Sequence, residues 1–175
     1  MKYPTFLKRK RGFTLVEMVV YTTIVAIIFV VAVNTILLTS AAWGSARVKR
    51  NILNQGNAAL ERMLREIRLA DSINTNGSTF GVNPGILYLN TVAGAGDETP
   101  ATREFFVSAS STIMRENAVE SSLTGGITVA SLVFYRVVNG DTSEAVTIRM
   151  TLQDGDGRFL QSENFYGTAV LRRSY

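Results

Sequence analysis

The sequence predicts an α+β chain: a long N-terminal transmembrane and amphipathic helix packed on a C-terminal antiparallel β-sheet. Three observations carry this. No charged residue occurs between Glu17 and Arg47. Beyond Arg47 the apolar residues recur at three- and four-residue steps, the period of a helix with one buried face. After Pro100 the pattern changes to short apolar segments divided by Gly, Asn and Asp, the mark of strands and turns.

The first element begins at a cluster of cations, Lys8, Arg9, Lys10 and Arg11, followed by Gly12 and then Phe13-Thr-Leu-Val-Glu17-Met18. The uncharged residues that follow are mostly Val, Ile, Ala, Leu and Thr, and outnumber the roughly 20 that a bilayer-spanning helix needs. Glu17 is a lone carboxylate just inside this run. A charge at the centre of such a helix costs about 2.5–3.5 kcal/mol, less toward the interface, so a carboxylate retained there points to a function that needs a partner.

These residues resemble the N-terminal signature of the type IV pilin-like family, which includes pilins and the pseudopilins of type II secretion. The resemblance covers Lys8 to Met18 and implies a type IV pilin-like fold. It also implies that a membrane-embedded prepilin peptidase cuts between Gly12 and Phe13 and N-methylates the new terminus on Phe13. Glu17 would then lie one turn from a new ammonium and pair with that of a neighbouring subunit during assembly. In a medium of low dielectric the two charges gain by meeting.

Two plainer readings compete. Ser40-Ala41-Ala42 offers the small residues of a signal-peptidase site, but a secretory apolar core runs about 7–15 residues and carries no acid. A single-pass anchor with Glu17 incidental is the other.

The chain has 175 residues, enough for one modest domain and an anchor. It contains no cysteine, so the domain holds itself together by packing alone. Many pilins carry a C-terminal disulfide loop, and this chain departs from that. A formal charge of +4 suggests an acidic partner, yet five of the 18 cations precede Phe13, leaving 13 against 14 acids after cleavage. The basic character belongs to the leader, where it keeps the N-terminus cytoplasmic and sends the remainder outward.

The helix is expected to run from Phe13 to about Ile73, with no proline between Pro4 and Pro84 to interrupt it. Gly44 and Gly56 are its soft points. Ile52, Gly56, Leu60, Met63, Ile67 and Ala70 form an apolar stripe expected to cover a sheet of the same domain. Glu61, Arg62, Arg65, Glu66 and Arg68 lie on the other side, with Glu61–Arg65 and Arg62–Glu66 spaced to pair. Asn74-Thr-Asn-Gly77 should end the helix. Strands are expected over 86–90, 103–108, 111–115, 127–130, 132–138, 145–152 and 167–172. The stretches 80–85 and 92–97 read as breakers, and Asn139-Gly140 is the clearest hairpin marker. The order of strands from Phe105 to Leu152 is also similar to that of minor pseudopilins and minor pilins.

Catalysis is poorly supported. Without His or Cys, Ser-His, Cys-His and common zinc arrangements are absent, and no carboxylate pair can be assigned to a cleft. Asp154-Gly-Asp156-Gly invites a calcium reading, with Glu163 as a further oxygen ligand, although major pseudopilins, which carry a C-terminal calcium site, are the source of that analogy. Arg158 and Phe165 stand where a calcium-binding loop of the EF-hand type needs acids, and turn chemistry explains both Asp-Gly pairs without a metal. Arg172 and Arg173 are weak candidates for nucleic-acid contact, given the near-neutral processed chain.

The expected organisation is a basic leader over 1–12, a transmembrane half-helix over 13–42, an amphipathic half over 43–73 and a β-rich head over 74–175. The expected role is that of a non-enzymatic minor pilin or pseudopilin in a type IV pilus or type II secretion-like filament. Its partners would be the prepilin peptidase, other pilin or pseudopilin subunits, an inner-membrane assembly platform and membrane lipid. No cofactor is expected, calcium being the weak candidate, and DNA is not an expected partner. A major pilin, or a membrane-anchored extracytoplasmic binding module that never polymerises, are the alternatives.

Overall fold

A computed structural model describes residues 12–94, 97–139 and 143–171. One helix, α1, runs unbroken from Leu15 to Leu69. The chain divides between Trp43 and Gly44 into two units.

In the first unit the helix is apolar on every side, and Leu15, Val19, Ile24, Ile28, Phe29, Ile36 and Leu38 are all exposed. Four of its hydroxyls bond within the helix. Thr22 donates to the carbonyls of Met18 and Val19, Thr23 to Val19, Thr35 to Val31 and Ser40 to Leu37, all at 2.8–3.0 Å. A helix that bonds its own backbone and several of its hydroxyls, and exposes apolar side chains all round, is suited to hydrocarbon.

The second unit holds the rest of α1 and two antiparallel sheets. The first sheet has the order β1 (Ser72–Ile73), β2 (Leu87–Gly94), β3 (Asp97–Ser108), β4 (Ser111–Glu116), β5 (Val119–Ser122). The second has the order β6 (Thr128–Asn139), β7 (Ser143–Asp154), β8 (Gln161–Val170). The expected meander is thus split into two sheets.

The loop over 80–85, read from sequence as a breaker, helps join them. Gly81 and Gly85 donate their N–H groups to the carbonyls of Phe134 and Leu132 at 2.8 Å, and Asn83 Oδ1 accepts from the Leu132 N–H at 3.0 Å. Val129 N–H donates to the Ser110 carbonyl at 2.7 Å. These bonds occupy the edge of β6 that β7 leaves open, an edge that would otherwise be available to another chain.

The core is apolar and continuous, with Ile52, Met63 and Ile67 of α1 joined to Leu87, Leu89, Phe105, Leu132, Phe134, Ile148, Met150 and Leu152 of the strands. The expected stripe is therefore the buried face, with two amendments. Ala59 and Glu66 also lie on it, and Leu60 is only half-buried. Gly44 and Gly56 do not interrupt the helix. They are close-approach points, and a Cβ at Gly56 would overlap the Phe165 ring.

Several boundaries differ from expectation. The helix stops at Leu69 because Asp71 and Asn74 donate their N–H groups to the carbonyls of Asn90 and Tyr88, both at 2.9 Å, which draws Ser72 and Ile73 into pairing with β2. Asn74 instead turns the chain after β1, its Oδ1 accepting from the N–H groups of Asn76 and Gly77 at 3.1 Å. The expected segments 127–130 and 132–138 are one strand, with the register shifting between Val129 and Ser131. Pro100 pairs opposite Val92 inside β3. It is tolerated there because β4 joins β3 only from Arg103 onward, so the missing N–H falls on an unpaired edge. Strand β5 escaped notice because all four of its residues are exposed and no apolar alternation marks them. The β6–β7 hairpin forms as expected, but its last pair is Asn139 with Ser143, so the connection is 140–142 rather than two residues, and lies outside the described residues.

Polar groups are handled in pairs. Arg62 Nε donates to Glu66 at 2.9 Å, and Glu66 also pairs with Arg103 of β3. Burial first, then repulsion from Arg65 and Arg103, holds the Arg62 guanidinium below the ordinary arginine range. On the outer face of the first sheet Glu104, Arg115 and Glu120 stand in one cross-strand row. The hydrogen bond to Glu120 is the main cause that raises the Arg115 pKa.

Candidate processing and assembly site

Gly12 and Phe13 precede the helix, and Thr14 opens it. The Thr14 carbonyl accepts from the Met18 N–H at 3.2 Å, the first bond of the helical ladder. Thr14 Oγ1 accepts from the Glu17 N–H at 3.2 Å, which satisfies a donor that the helix start leaves open. Thr14 and Glu17 thus occupy the first and fourth places of a Thr-x-x-Glu cap, and the carboxylate sits in the positive first turn of the helix dipole. This fixes the backbone of Glu17 in the first turn.

Gly12 is exposed, and nothing lies within 4 Å of where a Cβ on it would stand. Among the described residues nothing crowds the peptide between Gly12 and Phe13. Phe13 is 70% exposed, yet its ring meets that of Tyr21 edge-on, with centroids 6.2 Å apart and planes at 75°. Phe13, Glu17 and Tyr21 follow at four-residue steps and share one face. Glu17 is the one residue from Gly12 to Ser40 that is not exposed.

The family model for the prokaryotic N-terminal methylation motif matches residues 7–33. This N-terminus carries the motif of type IV pilin-like proteins. No curated protein and no solved structure matches the chain. The motif implies a pilin-like chain handled by prepilin peptidase and assembled with other pilins, in a family that is structural and not catalytic. The apolar helix fits membrane anchoring. The α+β architecture, a long helix on an antiparallel sheet-rich region, fits a pilin-like fold.

The other candidates lie apart from that motif. Asp154 Oδ2 accepts from Asn51 Nδ2 and its Oδ1 from the Gly155 N–H, both at 2.8 Å. Glu163 is tied to Lys49 Nζ at 2.8 Å. Asp156 precedes the 3₁₀ turn over Gly157–Phe159, with no side-chain bond to cap it. Among the described residues no three acidic, His or Cys side chains gather as a metal site. Arg172 and Arg173 lie outside the described residues.

Sequence reasoning found Gly12, Phe13 and Glu17 but missed two residues that shape their surroundings. Thr14 was legible in the Thr-x-x-Glu spacing. Tyr21 was legible as the third member of the four-residue series begun by Phe13 and Glu17.

Proposed function

We propose that this chain is a non-catalytic assembly subunit of a type IV pilus or type II secretion-like filament, a minor pilin or minor pseudopilin. Prepilin peptidase cuts Gly12–Phe13, the new Phe13 amine is methylated, and Glu17 pairs with that ammonium on an adjacent subunit. The apolar side chains from Leu15 to Leu38 hold the subunit in lipid and then in the filament core. The N-terminus faces the cytoplasm and the β-rich part lies outside it. The observation that carries this reading is one carboxylate, on a residue whose backbone N–H is capped by Thr14, in the first turn of a helix whose next charge is Arg47. The strand order from Phe105 to Leu152, similar to that of minor subunits, favours the minor role.

The mass of the N-terminal peptide of the protein purified from membranes tests it. A methylated terminus at Phe13 is expected. A functional protein that keeps Met1 overturns the reading in favour of an anchored binding module. Substituting Gly12 should leave only the uncut precursor on a gel, since a side chain would then stand beside the scissile carbonyl, where the peptidase must approach.

A further inference from the structure

We propose that Tyr21 is a positioning residue for the Gly12–Phe13 processing site; the proposal rests on the reading that prepilin peptidase cuts there. Eight residues of helix rise span about 12 Å, yet the Phe13 and Tyr21 ring centroids are 6.2 Å apart. Tyr21 therefore leans back toward the N-terminus, the direction helical side chains take, and Phe13 folds forward to meet it. Phe13 precedes the first helical residue, Leu15. The Thr14 cap fixes where the helix starts, and the ring contact fixes how Phe13 is turned relative to it. The scissile peptide is attached directly to Phe13, so its orientation follows.

Glu17 lies between the two rings in sequence and on their face. Its partial burial sets it apart in a stretch where every other residue is exposed. Hydrolysis adds water across the bond: the oxygen joins the Gly12 carbonyl carbon, the bond from that carbon to the Phe13 nitrogen breaks, and the proton given up by the new Gly12 carboxyl leaves Phe13 as an ammonium. Nothing is oxidised or reduced. A Phe13 held by Tyr21 presents one geometry to the peptidase, and less conformational freedom is lost on reaching the transition state. The ammonium is then left on the face that carries Glu17.

The test is the cleavage rate of the full-length precursor in membranes containing prepilin peptidase, followed by the mass of the released leader. Tyr21→Leu removes the ring and keeps an apolar helix former; it should slow cleavage about two- to tenfold, the factor corresponding to loss of one aromatic pair. Tyr21→Phe keeps the edge-on contact and should restore the native rate, which a role for the hydroxyl would not allow. Phe13→Leu combined with Tyr21→Leu should be no slower than Phe13→Leu alone, because both remove the same contact. Cleavage of Tyr21→Leu at the native rate or faster overturns the positioning role while leaving the processing reading intact. A native precursor that is never cut at Gly12–Phe13 overturns both.

Discussion

Arg103 of β3 and Glu66 of α1 form an ion pair in the second unit, with their side chains only 11% and 2% exposed. Arg62 Nε adds a bond to the same carboxylate, and Arg103 continues to Glu116 at 2.7 Å. Desolvating such charges is costly, and the arrangement holds because each has an opposite partner.

Removing one partner should therefore cost more than removing both. Arg103→Met leaves the buried Glu66 carboxylate with Arg62 alone, and should lower stability by about 3 kcal/mol, the low end for a broken buried pair. The double variant Glu66→Leu with Arg103→Met should recover most of that loss. Chemical denaturation of the detergent-solubilised protein, followed by tryptophan-independent circular dichroism of the sheets, provides the comparison. Equal losses in the single and double variants would show that the pair is not the source.

Gly56 is the point where the helix backbone approaches the Phe165 ring on β8. Gly56→Ala would ordinarily favour a helix, but here the new methyl must displace a ring that is 5% exposed. Overpacking of this kind should cost about 1–3 kcal/mol. Shortening the opposing side chain by Phe165→Leu in the Gly56→Ala background should return part of it, measured as a shift in melting temperature.

Asn117 and Ala118 join β4 to β5 with φ of 46° and 74°. Both are in the left-handed region that two-residue hairpins use, and Ala118 has a Cβ that opposes it. Ala118→Gly should raise stability by about 1 kcal/mol. A drop in the denaturation midpoint would show that the methyl group makes contacts worth more than the backbone strain.

Glu17→Ala should leave Gly12–Phe13 cleavage largely intact and impair incorporation into filaments. Sheared-filament fractions probed for the subunit separate the two effects. Normal incorporation of this variant would remove the assembly role assigned to the carboxylate.

Asp154 and Glu163 are already engaged by Asn51 and Lys49. Calcium would have to displace those partners, so melting temperatures in excess calcium and in chelator should coincide. A clear rise with calcium that disappears in Asp154→Asn would instead establish a metal site.

The local order of residues sufficed for much of this. An uncharged run, a lone Glu17 and a Gly12–Phe13 junction are properties of adjacent residues, so the N-terminal motif and the apolar helix were readable directly. The stripe from Ile52 to Ala70 was readable for the same reason, because helical period is a local property. Strand positions were readable where apolar alternation was strong, as in 132–138 and 145–152, and unreadable at Val119–Ser122, where every residue faces water.

What tertiary structure decided is everything that depends on residues far apart in the chain. Ser72 and Ile73 left the helix because Asn90 and Tyr88 offered carbonyls that no local signal announces. Glu66 moved from the expected polar side to the buried face because Arg103, 37 positions away by numbering, neutralises it there. The loop over 80–85 became a seam because β6 had an open edge at Leu132 and Phe134. Periodicity records which residues prefer to avoid water, whereas the partner that satisfies each buried donor or charge is chosen only when the elements meet.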